Sequence, residues 1–258
     1  SKLSRVLFNT KRYSADLLTF FDRFSQLNSL HYQASTACIH SFLTPFVSWP
    51  ILEGIAAKVA NGITLDIDDA IFATNERTKE KVSSALRLCS SAIVGNEYLA
   101  ELATKYQSNV HIIPTPIETD VYLPVTPTDN MRSQITIGWM GSCVNIQHLD
   151  SLCPVFEKIK SELGESVRIL AITDLKKLPS PLNKLAELKT WTLQNEVSDL
   201  QEFDIGLMPL SENNFSKGKC SFKLLQYMAS GIPVVASPVG MNQQVVGDNG
   251  FLCRSTDE

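Results

Sequence analysis

Residues 204–240 read DIGLMPLSENNFSKGKCSFKLLQYMASGIPVVASPVG. After Asp204 the next six residues, 205–210, are apolar and carry Pro209 near their end, the pattern of a buried parallel strand leaving its sheet. A basic, glycine-containing loop follows with Lys217, Gly218 and Lys219, and then a helical segment over about residues 221–230. Gly231 stands where a helix C-cap requires a residue that tolerates positive φ, and 232–236 is a second strand. Lys219 and Lys223 are four positions apart and are expected on one face of the first helical turn. Two ammonium groups beside the open N–H groups of a helix start suit an anion, most economically a diphosphate. The blander reading is an ordinary α/β half-domain with lysines on a solvated face.

Working outward, the same alternation recurs on both sides. Strands are expected at 63–67, 92–94 and 110–113, with a helix at 97–106 for which Asn96 is a good N-cap. Residues 124–132, PVTPTDNMR, lack periodicity and are the best linker candidate. Beyond them come strand 135–139, helix 146–163, strands 167–173 and 188–193, and a helix near 197–203 that leads back to Asp204. This predicts an α/β protein of two Rossmann-like, doubly wound parallel sheets: a partial first domain over 1–127 and a second over 132–258. Ligands of such sheets bind beyond the strand C-termini, here in a cleft between the domains. Residues 137–142 add a strand running into a Gly141–Ser142 turn before a helix, where backbone approaches a ligand closely and Ser142 offers a hydroxyl and an N–H to a phosphate oxygen.

Composition narrows the classes. The 258 residues are 44% hydrophobic and 19% charged, ordinary for a globular enzyme with real cores. A net charge of −4 argues against nucleic acid as the main partner, because duplex binding needs a basic stripe. No apolar run approaches the ~18 residues of a membrane-spanning helix, and the N-terminus lacks the organisation of a signal peptide. Six scattered cysteines with no CxxC pair fit reduced thiols of a cytoplasmic chain, with Cys220 read as a small packing residue. Over 13–29, Leu17, Leu18, Phe20, Phe21, Phe24 and Leu27 lie at helical spacing with a few basic neighbours. A helix packing on its own sheet is favoured there, and a peripheral membrane association stays open.

The 204–240 stretch resembles the donor-binding region of retaining glycosyltransferases of the GT-B fold, family 4. The resemblance is carried by Lys217-Gly218-Lys219-Cys220, Phe222-Lys223-Leu224-Leu225-Gln226-Tyr227-Met228-Ala229, Gly231, Pro233-Val234-Val235 and Ser237-Pro238-Val239-Gly240. It implies a hexosyltransferase using a nucleoside-diphosphate sugar, with no further cofactor and no metal, acting on an unknown glycan or lipid acceptor. By that likeness Lys219 and Lys223 are catalytic, stabilising charge on the departing diphosphate. Gly141, Ser142 and Lys217 join them around the diphosphate, while Gln226, Gly240 and Met241 border the nucleoside and ribose. Many relatives carry two spaced glutamates against the sugar and the ribose; those positions here hold Gly218 and Gln226.

The string at 65–72 with Asp66, Asp68 and Asp69 resembles a segment of the first domain of the same family, where acids cap a helix or shape the acceptor side of the cleft. A metal-chelating DxD is the weaker reading of it. His40, Asp68, Asp69 and Asn96 are carried as cleft candidates, with His40 more often a surface or packing residue. Family members begin with a strand and a glycine-rich loop and continue into helices that pack back on the first domain. Residues 1–30 hold no glycine, so an incomplete chain lacking both pieces is expected. A sugar-nucleotide epimerase of the same fold and a non-catalytic nucleotide-sugar-binding chain are the alternatives.

Overall fold

The computed structural model describes residues 36–41, 50–124 and 134–255. The amphipathic stretch at 13–29 and most of the expected linker lie outside the described residues. The chain forms two compact units that divide between Pro114 and Thr115.

In the first unit, strands β1 (Ala37–His40), β2 (Ile63–Ile67), β3 (Ser91–Val94) and β4 (Val110–Ile112) lie side by side in that order, all parallel. Helices Ile51–Val59, Glu76–Leu88 and Glu97–Ala103 make the crossovers. Two of them begin on asparagine caps. The Asn75 side chain accepts from the Thr78 N–H at 2.9 Å, and Asn96 accepts from the Leu99 N–H at 2.9 Å. Each cap satisfies one of the N–H groups that a helix start leaves open.

The second unit holds a six-stranded parallel sheet of β5 (Ile135–Met140), β6 (Val167–Thr173), β7 (Glu187–Thr190), β8 (Ile205–Met208), β9 (Val234–Ala236) and β10 (Gly250–Leu252), in the order β10-β9-β8-β5-β6-β7. Successive residues of β6 serve opposite faces. Leu170 and Ile172 enter a core with Leu224 and Tyr227, whereas Ile169 and Ala171 enter one with Phe156 and Leu182. Both faces of β6 are therefore apolar and covered, which is why 169–172 reads as a continuous hydrophobic run and not as an alternation. The chain leaves β5 toward β6 and β7, then returns to build β8, β9 and β10 on the other side. The β5/β8 junction is thus the topological switch point, where ligands of doubly wound sheets bind beyond the strand C-termini.

Two differences from the sequence expectation have local causes. The single helix expected over 146–163 is two helices, Ile146–Asp150 and Cys153–Leu163. The break falls before Pro154, which has no N–H to donate and sits in the first turn of the second helix. The unit boundary falls nearer the N-terminus than the 124–132 linker, because residues 115–124 pack on the second unit. Tyr122 is buried there, with its hydroxyl on Glu196, and the Leu123 carbonyl accepts from the Gln201 side chain at 3.1 Å.

Candidate functional site

Beyond β8 the chain runs through Pro209 and Leu210 into a one-turn helix, Asn214–Lys217, capped by Asn213, whose side chain accepts from the Ser216 N–H at 2.8 Å. Ser221 follows in the left-handed region at φ 57° and opens the helix Phe222–Ala229. That helix ends as the sequence predicts. Gly231 takes φ 73°, its N–H reaches the Met228 carbonyl, and the Ile232 N–H reaches the Tyr227 carbonyl, a Schellman closure. Gly240, at φ 61°, lies so close to the 214–217 turn that a Cβ would come within 2.9 Å of the Lys217 carbonyl oxygen. Gly240 and Met241 lead into the short helix Asn242–Val246, with the Met241 carbonyl accepting from the Val245 N–H at 2.9 Å.

The three lysines of the motif face different partners. Lys217 pairs with Glu212 at 3.3 Å. Lys219 precedes the helix cap instead of sharing a helical face with Lys223, and its ammonium lies 4.7 Å from the centre of the Phe215 ring. The positive φ at Ser221 is the reason: it ends the helical geometry before Lys219 is reached. Lys223 is the second helical residue and half-buried, with its Nζ donating to Gln226 Oε1 at 2.8 Å. Burial lowers its pKa from the usual lysine value, and the Glu196 carboxylate opposes that shift.

Gln226 is fully buried. Its Nε2 donates to the Tyr122 hydroxyl oxygen at 2.7 Å and to Glu196 Oε1 at 2.8 Å. Glu196 also accepts from the Tyr122 hydroxyl at 2.5 Å and, through Oε2, from the Trp191 indole N–H at 2.7 Å. Burial raises the Glu196 pKa, but the Tyr122 and Trp191 hydrogen bonds and the nearby Lys223 ammonium outweigh it and hold the carboxyl below its usual value. The ribose contact expected of Gln226 is therefore not offered by its side chain in this arrangement, since both ends of the amide are engaged inside the protein. Glu196 and Tyr122 belong to no motif; tertiary packing alone brings them to position 226.

The Gly141–Ser142 turn sits at the end of β5, at the switch point. A Cβ on Gly141 would come within 2.5 Å of the Trp139 indole, so the glycine makes room for that ring. The Gly141 N–H donates to the Ile172 carbonyl at 3.0 Å, and the Cys143 N–H to Asp174 Oδ1 at 2.6 Å. Ser142 Oγ accepts from the Asn145 side chain at 3.0 Å. The expected phosphate cradle is thus partly filled from within, with the Asp174 carboxylate standing where an anion would. On the other side of the switch point, His148 is buried and its Nδ1 accepts from the Ser211 N–H at 3.3 Å. Burial and the Lys219 ammonium both lower its pKa. A cavity of about 200 Å³ adjoins it at the C-terminal ends of β8, β9 and β10, walled by Ser151, Pro209, Ser211, Ser237 and Arg254.

In the first unit the structure joins what the sequence left apart. His40 ends β1, and its Nδ1 lies 3.1 Å from Asp66 Oδ2 while its Nε2 lies 3.8 Å from Asp68 Oδ2. The parallel register sets His40 directly against Asp66. The hydrogen bond to Asp66 raises the histidine pKa, burial offsets part of that, and Asp68 raises it further. The helix Glu76–Leu88 is capped by Asn75 and not by Asp68 or Asp69. Asn96 is buried as a helix cap. Among the described residues no group of three or more His, Cys, Asp or Glu is arranged to hold a metal ion, and no helix is long and apolar enough to cross a membrane.

Residues 134–258 match the family model of glycosyl transferases group 1. Among solved structures, TarM of S. aureus is similar with a TM-score of 0.59 at 15% identity, over 78% of this chain and 42% of that one. The pneumococcal O-GlcNAc transferase GtfA, solved with UDP and GlcNAc, gives 0.57 at 17% identity, over 80% of this chain and 43% of its own. A glycosyltransferase from Rickettsia africae gives 0.64 at 11% identity, over 92% and 69%. The chain spans less than half the length of TarM and GtfA. No curated protein sequence matches it. The expected fold class, α/β with parallel sheets as in GT-B glycosyltransferases, is the one found.

Proposed function

We propose that this chain, whose residues 134–258 match the family model of glycosyl transferases group 1, transfers a hexose from a nucleoside-diphosphate sugar to a glycan or lipid acceptor with retention at the anomeric carbon. Fold alone does not carry that reading, because one fold hosts many chemistries. The observation that carries it is the placement of the Lys219–Lys223 segment. It lies beyond the C-terminal end of β8, at the switch point, within the matched residues, with the Lys223 ammonium in the first turn of Phe222–Ala229. UDP in the GtfA structure supports a nucleotide donor.

In this reading the bond between the anomeric carbon and the diphosphate oxygen breaks with its electron pair going to the diphosphate, an acceptor hydroxyl oxygen bonds the anomeric carbon on the same face, and its proton passes to the departing diphosphate oxygen. Lys219 and Lys223 meet the charge that develops there, the term that dominates catalysis in such sites. The Phe222–Ala229 N–H groups add their dipole. No strong base is then required of the donor unit, which agrees with Gly218 and Gln226 standing at the family's glutamate positions. Glycan and lipid acceptors are both compatible with this site.

Isothermal titration with UDP, GDP and uridine tests the reading. Either diphosphate should bind far more tightly than uridine. Lys223→Ala should weaken diphosphate binding about ten- to a hundredfold, the range of a hydrogen bond to a charged group, and leave uridine unaffected. Equal losses for nucleotide and nucleoside would overturn the assignment.

A further inference from the structure

The motif lacks a carboxylate at position 226, yet one stands beside it. Glu196 begins the helix Glu196–Leu200, and its Oε1 lies 2.8 Å from Gln226 Nε2. An amide has one donor end and one acceptor end, and here the two are told apart. Against the Glu196 carboxylate and the Tyr122 oxygen, only the NH₂ end fits; a carbonyl there would face a negative charge. The carbonyl oxygen is consequently turned to Lys223 Nζ at 2.8 Å. Tyr122 completes the arrangement from residues 115–124, with its hydroxyl donated to Glu196. Burial and the Glu196 hydrogen bond push its pKa up to about 12, so it remains a neutral donor. Trp191 holds the other carboxylate oxygen.

We infer that Glu196 is a positioning residue for Lys223: its carboxylate orients the Gln226 amide, and through that amide it fixes the direction of the ammonium. The inference rests on the reading of Lys223 as a diphosphate ligand for its functional meaning, but the coupling of Glu196 to Lys223 stands without it. The groups around the Lys223 ammonium fit this role. Glu196 is the carboxylate that opposes the effect of burial, Gln226 and Tyr122 are neutral, and the Phe222 ring centre lies 5.6 Å away. A half-buried lysine without a nearby negative charge loses its proton more readily.

The test titrates Lys223 directly, by NMR of protein labelled at the lysine ε-carbon, beside isothermal titration with UDP and uridine over a pH series. Glu196→Gln keeps the size and hydrogen-bonding capacity of the side chain and removes its charge. It should lower the Lys223 midpoint and, at pH values above both midpoints, reduce UDP affinity by up to about tenfold for each pH unit of that shift, with uridine unaffected. The double variant Glu196→Gln/Gln226→Glu restores a carboxylate next to Lys223 and should recover both the midpoint and the UDP affinity. An unchanged Lys223 midpoint in Glu196→Gln overturns the inference. So does an even loss of UDP and uridine binding with a lower melting temperature, the signature of a purely structural network. If the wild-type chain fails to prefer UDP over uridine, the function proposed above falls, and the lysine titration still decides whether Glu196 governs Lys223.

Discussion

The Ser221 hydroxyl donates to Asn242 Oδ1 at 2.7 Å, and both side chains are buried. Asn242 in turn donates to the Ser237 carbonyl at 2.9 Å, so one amide clamps the start of the lysine-bearing helix to the end of β9. Ser221 needs the clamp because a non-glycine residue at φ 57° carries about 1–2 kcal/mol of strain. Asn242→Ala leaves two buried polar groups without this partner and should destabilise the second unit by about 2–4 kcal/mol. Ser221→Gly relieves the strain while losing one bond and should cost clearly less. Thermal melts of the two variants check the ordering, and equal losses would show that the left-handed turn stores no strain.

A second pair ties the same helix to the sheet. Tyr227 is fully buried, and its phenol oxygen accepts from the Met140 N–H at 3.0 Å, one residue before the Gly141 turn. Its ring lies over Gly206, where a Cβ would come within 2.7 Å. Gly206→Ala should cost about 1–3 kcal/mol or more through overpacking. Tyr227→Phe, which keeps the ring and strands the Met140 N–H, should cost about 1–3 kcal/mol. Urea denaturation reads both; a neutral Gly206→Ala would mean that the ring has room to move.

His148 gives the second unit a pH dependence of definite sign. Burial and the Lys219 ammonium lower its pKa from 6.5, so the unfolded chain takes up a proton before the folded one does. Stability is therefore lost as pH falls from 6.5 through the lower folded-state value. His148→Gln keeps an acceptor for the Ser211 N–H and removes the titration. Its melting temperature should fall less steeply than that of the wild type between about pH 7 and about pH 5. Parallel curves would assign the acid sensitivity elsewhere.

What could be read beforehand was what depends on local pattern. The 63–67 and 167–173 strands, the Asn96 cap and the Gly231 stop follow from periodicity and from residue types that do one local job. The candidate site was legible as a segment and not as a set of contacts. Spacing put Lys219 and Lys223 on one helical turn, but Ser221 adopts a backbone conformation that its residue type does not announce. Gln226 was visible as a departure from the family pattern, whereas the partners that enclose it come from positions 122 and 196. Nothing in a one-dimensional spacing links those positions. For the same reason Asp174 and the Gly141 turn met only in the folded chain.

The His40–Asp66 pair is the clearest such case, and it yields the last prediction. The two residues are 26 positions apart, yet the β1/β2 register sets them opposite each other, at the C-terminal end of β1. The bond to Asp66 favours the charged imidazole, partial burial works against it, and Asp68 adds to the first effect, so the balance lies above the ordinary 6.5. The group then contributes stability that is fully present below 6.5 and is lost as pH rises through the folded-state value. Because His40 is exposed, the energetic effect is small and the titration itself is the better readout. NMR of the imidazole should show a midpoint above 6.5. Asp66→Asn should lower it markedly and Asp68→Asn less, following the order of their contributions. If both variants left the midpoint where it is, the pairing of His40 with β2 would not persist in solution, and the first-unit cluster would lose its standing as part of any site.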